Sequence, residues 1–156
     1  MRDEMFLVTG ALGCIGAWVL YNLVHNKAQV VAVDLASDPV RPALLLSPEE
    51  LGRVTFVQAD ITQPGRVRSL IEQHGVTHVI HLAALQVPAC RANPALGAQV
   101  NVVGTVNVFK AVRHCKDQVC GLAYASSVAA LGPAAMYDQR PIPDDALLHP
   151  ETLYGV

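Results

Sequence analysis

The chain is short of charge. Only 15% of its 156 residues are Asp, Glu, Lys or Arg, and the formal net charge is −2. Such a balance supplies no basic patch for a nucleic-acid backbone or an anionic membrane, so neither is expected as a partner. Aromatic residues are scarce too, at 5%, with a single Trp. Cysteine is sparse: Cys14, Cys90, Cys115 and Cys120 make no C-x-x-C pair and no metal-ligand spacing. That excludes a zinc ribbon and fits reduced thiols in a cytoplasmic protein. His74, His78 and His81 lie close together but span a loop and a strand, and no metal site is expected from them. The opening residues are not expected to act as a secretory leader. Positions 5–24, MFLVTGALGCIGAWVLYNLV, carry no charge and approach a membrane span in length. However, Arg2 is followed by Asp3 and Glu4, not by a positive n-region. Three glycines at three-residue spacing suit a turn between a buried strand and a buried helix better than a helix in lipid.

Apolar residues, by contrast, are plentiful, at 52% with a mean hydropathy of +0.34. That profile suits a parallel sheet covered on both faces, whose strands are apolar throughout. Strands are predicted at 5–9, 28–34, 53–60, 76–84 and 118–127. Helical spacing is found from Cys14 to about His25, from Gln63 and Pro64 to about His74, and over 93–115, where Asn93 and Pro94 supply a start signal. The proline-rich stretches 38–52 and 132–150 read as loops, the first with one helical turn at 48–51. Pro150 and Glu151 read as the first turn of a further helix. Strand–helix alternation with crossovers of this length requires parallel pairing. Right-handed crossovers then give a doubly wound α/β sheet of about five strands.

The strongest chemical signal is VTGALGCIG. A strand ends, Gly10, Gly13 and Gly16 follow, and a helix begins. Gly10 permits the tight turn, Gly13 lets a pyrophosphate approach the backbone, and Gly16 lets helix and strand pack closely. The first helical residues, Cys14, Ile15 and Gly16, offer N–H groups and the positive end of the helix dipole to the phosphates. Asp34 ends the second strand, eighteen residues after Gly16. A carboxylate there can accept hydrogen bonds from an adenosine ribose and would repel a 2′-phosphate, which favours NAD over NADP.

The spacing is T-G-x-x-G-x-x-G, from Thr9 to Gly16. Together with QADIT, HLAA, NVVGTVNV, YASSVAALG and LYGV, it resembles the short-chain dehydrogenase/reductase superfamily in its extended branch of NAD-dependent epimerases and dehydratases. The resemblance covers essentially the whole chain. It implies a Rossmann domain over residues 1–156 with NAD as cofactor and a small-molecule substrate, a sugar nucleotide or related polyol. By the same resemblance Asp60 binds the adenine amino group with Ile61 beside the ring. Leu82, Ala83 and Ala84 pass under the cofactor, Asn101 supports the active site, Ser126 belongs to the cofactor-binding set, Ser127 is the hydroxyl beside the substrate, and Tyr154, the tyrosine of Y-x-x-x-K, is both catalytic and cofactor-binding. Taken singly, Asp60 has an alternative as a strand-end cap, Asn101 as a partner for nearby backbone, Ser126 and Ser127 as turn residues and Tyr154 as an ordinary tyrosine; their joint order and spacing favour the family reading.

Two positions depart from the epimerase pattern: Leu131 replaces a tyrosine, and Gln86 stands where UDP-galactose 4-epimerase has lysine. Both argue against that particular activity. The motif lysine would fall at position 158, beyond Val156. In the family it lowers the tyrosine's pKa from the ordinary phenol value near 10. The expectation is therefore an NAD-binding portion without its substrate domain, nearly inactive by itself. A non-catalytic NAD-binding sensor or scaffold is the alternative. The outer face of 93–115 is expected to expose apolar surface and to favour association, with a homodimer expected for the full-length protein.

Overall fold

Residues 4–156 are described by a computed structural model; Arg2 and Asp3, read above against a leader, lie outside the described residues. The strands are β1 (Met5–Thr9), β2 (Gln29–Asp34), β3 (Val54–Gln58), β4 (His78–His81) and β5 (Gly121–Tyr124). They form one sheet in the order β3-β2-β1-β4-β5, with all four pairings parallel. The helices are α1 (Cys14–His25), α2 (Pro48–Leu51), α3 (Arg66–His74), α4 (Val87–Ala92), α5 (Pro94–Ala98) and α6 (Thr105–His114). A π-helical stretch, Gln99–Gly104, joins α5 to α6.

The apolar strands are explained by what lies on each face. Side chains alternate across a sheet, and along β2 Val31 and Val33 join one core while Val30 and Ala32 join the other. The first core packs Leu7 and Val79 against Val67, Leu70 and Ile71 of α3 and Val108 of α6. The second packs Val8 against Leu20 and Val24 of α1 and against Leu46. Burial on both faces leaves no polar alternation to read along β1 and β2.

Several boundaries differ from the sequence reading. Pro64 does not open α3. Gly65 takes a left-handed φ of +77° and the helix starts at Arg66, after successive turns from Asp60 to Gln63 and from Gln63 to Arg66. The predicted helix over 93–115 forms, but through the π-helical stretch, and it is preceded by the unpredicted α4. Asn93 separates the two at φ −140°, and its side chain accepts the Leu96 N–H as an N-cap. The turn at 48–51 forms with a reciprocal capping box between Ser47 and Glu50. Pro150 and Glu151 do not begin a helix. The segment makes a turn in which Thr152 accepts the Gly155 N–H with both its carbonyl and its hydroxyl oxygen.

Candidate functional site

In this strand order the connections from β1 and β4 leave toward opposite faces of the sheet. A crevice opens at the carboxyl ends of β1, β2 and β4, the topological switch point where open α/β sheets bind ligands. The cleft there has a volume of about 900 Å³. Its walls include Gly10 and Gly13, Asp34, Asp60 and Ile61, and Leu82, Ala83 and Ala84, brought together from four separate chain segments.

The glycine turn is built by close approach. Gly10 has φ +68°, and a Cβ there would lie 2.7 Å from the Ala83 nitrogen. A Cβ on Gly16 would collide with the Gly10 carbonyl oxygen. Both positions are therefore closed to any side chain. Gly13 is the N-cap of α1 and offers no side-chain cap. The N–H groups of the exposed Cys14 and Ile15 and of the buried Gly16 thus open the helix without a capping oxygen. An uncapped helix start beside a cleft fits an anionic group.

Asp34 holds this loop. One carboxylate oxygen accepts the Leu12 N–H at 2.9 Å and the other accepts the Ala36 N–H at 3.1 Å. Each oxygen keeps a lone pair for a further donor. Asp60 lines the cleft and also acts as a cap, accepting the Thr62 N–H at 2.8 Å. Both sequence readings of Asp60 therefore fit its position. Asn107 of α6 fastens the same loop by donating toward the Ile61 and Thr62 carbonyls, at 3.0 and 3.1 Å.

Asn101 lies in the π-helical stretch and holds both backbone polar groups of one residue. Its Oδ1 accepts the Leu85 N–H at 2.8 Å and its Nδ2 donates to the Leu85 carbonyl at 2.9 Å. Leu85 is itself a wall of the cleft. Asn101 therefore reaches the site through backbone, and a π-helical insertion at such a point is a common functional feature.

Ser126, Ser127 and Tyr154 are not among the cleft's walls. Ser127 caps the 3₁₀ turn Val128–Ala130, its Oγ accepting the Ala129 N–H at 3.2 Å. Tyr154 lines a smaller pocket of about 190 Å³ with Val87, Cys90 and Arg91 of α4. The two segments nevertheless meet, because Gly155 abuts the Ala129 carbonyl so closely that a Cβ would collide with it.

Three polar residues at the cleft, two buried beneath it and one in its wall, have roles that escaped the sequence reading. Thr9 and His81 are 0% and 1% exposed. Burial pushes the His81 imidazole down to about 4. Its Nε2 lies 3.0 Å from Thr105 Oγ1 of α6. HLAA marked the histidine's segment, but no sequence signal ties it to a threonine 72 residues earlier. Arg41 is the third: Nη1 donates to the Leu12 carbonyl at 3.3 Å. Among the described residues no group of three His, Cys, Asp or Glu is arranged to hold a metal, and no helix is long and apolar enough to cross a membrane.

Comparison with known proteins matches residues 6–156 to the NAD dependent epimerase/dehydratase family. The chain is 28% identical to an inactive mitochondrial L-threonine 3-dehydrogenase of Homo sapiens, covering 96% of this chain and 60% of that protein. It is 31% identical to a UDP-glucose 4-epimerase of Klebsiella pneumoniae, covering 88% of this chain and 95% of that protein. Among solved structures, a UDP-glucose-4-epimerase from Stenotrophomonas maltophila, with bound NAD and formylated UDP-arabinopyranose, superposes with a TM-score of 0.83 at 29% identity. That match covers 97% of this chain and 44% of the Stenotrophomonas chain.

Proposed function

The chain belongs to the NAD dependent epimerase/dehydratase family, and from that membership we propose that its cleft binds NAD for hydride transfer with a sugar nucleotide or related polyol. One observation carries the reading: an uncapped α1 start faces a glycine turn that Asp34 holds in place. NAD, when bound, supplies the hydride acceptor. The chain's residues supply its seat. The N–H groups of Cys14, Ile15 and Gly16 would meet the pyrophosphate at the helix start. The free lone pairs of Asp34 would take ribose hydroxyls. Asp60 and Ile61 would meet the adenine, and Leu82, Ala83 and Ala84 would line the floor beneath the nicotinamide end. Ser127 would hold a substrate oxygen, and Tyr154 would exchange a proton with it.

Isothermal titration with NAD tests the seat. The protein should bind NAD, and Gly13→Val, which fills the phosphate approach, should weaken binding at least about tenfold. No NAD binding by the folded parent protein at millimolar concentration would refute it.

A second reading, an NAD-binding sensor or scaffold without turnover, draws support from the positions of Ser127 and Tyr154 outside the cleft's walls. Its sequence similarity to the inactive human protein points the same way. NADH formation across a panel of sugar nucleotides, lost in Tyr154→Phe, would favour catalysis; NAD binding with no turnover would favour the sensor.

A further inference from the structure

The small pocket beside Tyr154 has two walls. One is α4, through Val87, Cys90 and Arg91; the other is the turn from Glu151 to Tyr154. The α4 wall is fixed from behind. Cys90 is buried, with its thiol 3.3 Å from the Leu85 carbonyl and 3.5 Å from Asn101 Nδ2. Gly97 packs against it so closely that a Cβ there would lie 3.0 Å from the sulfur. Leu85 walls the larger cleft and Val87 walls this pocket, so one short segment serves both.

The pocket's polar groups are unengaged. The Tyr154 hydroxyl, unlike that of Tyr137, makes no hydrogen bond among the described residues. Arg91 is exposed and makes no ion pair among the described residues, although Glu151 lines the same pocket. Its guanidinium keeps its N–H donors for a ligand. The volume of about 190 Å³ is below the roughly 300 Å³ at which pockets for whole drug-sized ligands begin, and suits one sugar-sized end of a substrate. A singly charged carboxylate pairs with a guanidinium as a planar fork of two bonds. A doubly charged phosphate would meet greater repulsion from Glu151.

We infer that this pocket selects a substrate whose reacting end bears a carboxylate as well as a hydroxyl, a sugar acid, and that Arg91 reads the carboxylate. The inference rests on the reading of Tyr154 as the group that meets substrate, and it narrows the substrate class of that reading. With the hydroxyl at the Tyr154 phenol and the carboxylate at Arg91, the acid engages both free groups. A neutral sugar leaves the guanidinium unused. Arg91 is therefore a specificity residue, and no bond is made or broken at it.

The test is calorimetric titration of the parent protein, Arg91→Gln and Arg91→Lys, each with and without NAD. Two matched pairs of probes are used: UDP-glucuronate against UDP-glucose, and glucuronate against glucose. The acid should bind the parent protein at least about tenfold tighter than its neutral partner. Arg91→Gln should remove that preference by weakening the acid, while the neutral sugar changes by less than about threefold. Arg91→Lys should recover part of it, because the charge is kept and the fork is lost. A preference seen in the nucleotide pair alone assigns the carboxylate to a sugar nucleotide; one seen in the free pair assigns it to the sugar acid itself, and either upholds the inference. No preference for the acid in either pair, or a preference that survives in Arg91→Gln, would overturn it. Failure of all four probes to bind a protein that binds NAD would overturn it while leaving the cofactor reading intact. Arg91-dependent binding of the acids by a protein that does not bind NAD would uphold it and defeat the cofactor reading.

Discussion

Thr9 Oγ1 and His81 Nδ1 lie 2.6 Å apart across the β1–β4 pairing, buried beneath the cleft. Their protonation is assigned from the surrounding hydrogen bonds. Thr9 Oγ1 also receives the Ala83 N–H at 3.3 Å and shares the Leu82 N–H, which lies nearer the Thr9 carbonyl oxygen, at 3.1 against 3.3 Å. With these N–H groups directed at the oxygen, the hydroxyl proton is assigned to His81 Nδ1 and the imidazole proton to Nε2, facing Thr105. Geometry and burial thus agree in keeping His81 neutral.

His81 should make the fold acid-sensitive. Its pKa falls from 6.5 to about 4 on folding, so the unfolded chain binds the proton more tightly. The contribution is fully present above pH 6.5 and is lost as the pH falls to about 4, amounting to about 3 kcal/mol. Urea denaturation of the protein and of His81→Gln between pH 4 and 8 checks this: the difference in their stabilities should shrink toward acid. A constant difference would contradict the neutral-histidine assignment.

Asn101→Ala should remove both bonds to the Leu85 backbone. The expected cost is roughly 1–3 kcal/mol in chemical denaturation. Asn101→Asp should recover only part, because it keeps the acceptor for the Leu85 N–H but turns an oxygen toward the Leu85 carbonyl. Equal stability of all three proteins would show that water replaces the contact.

Tyr137 OH lies 2.7 Å from the carbonyl oxygens of both Leu131 and Leu147, and its ring stands edge-on to His149. Tyr137→Phe should cost about 1 kcal/mol. Limited proteolysis should then cut faster within 132–149, with little change elsewhere.

The outer side of the helix after Pro94 carries the apolar surface expected from the sequence. Val102, Val103, Val106 and Phe109 are 40–59% exposed, and Phe109 meets Tyr124 edge-on at 5.4 Å. A contiguous apolar surface of this kind favours association. Val106→Lys should lower the sedimentation-averaged mass at high protein concentration while leaving the circular dichroism spectrum unchanged. An unchanged mass would show that this stripe does not drive association.

Local chemistry made much of this protein legible in advance. The apolar strands, the glycine turn, Asp34 at a strand end and the Asn93–Pro94 helix start each follow from a few adjacent residues, because turn geometry, capping and burial on both sheet faces are properties of short segments. Parallel pairing followed as well, since the crossovers are too long for hairpins. Helix starts failed where two signals competed, as at Pro64 and Gly65, where the left-handed glycine prevailed. Four relationships belong to the tertiary structure alone: Arg41 reaching Leu12, Asn101 on Leu85, Thr9 on His81, and the separation of Ser127 and Tyr154 from the cleft's walls. Each depends on which segments the sheet order and the packed helices make neighbours. Sequence spacing carries no such information for residues 16 to 72 positions apart.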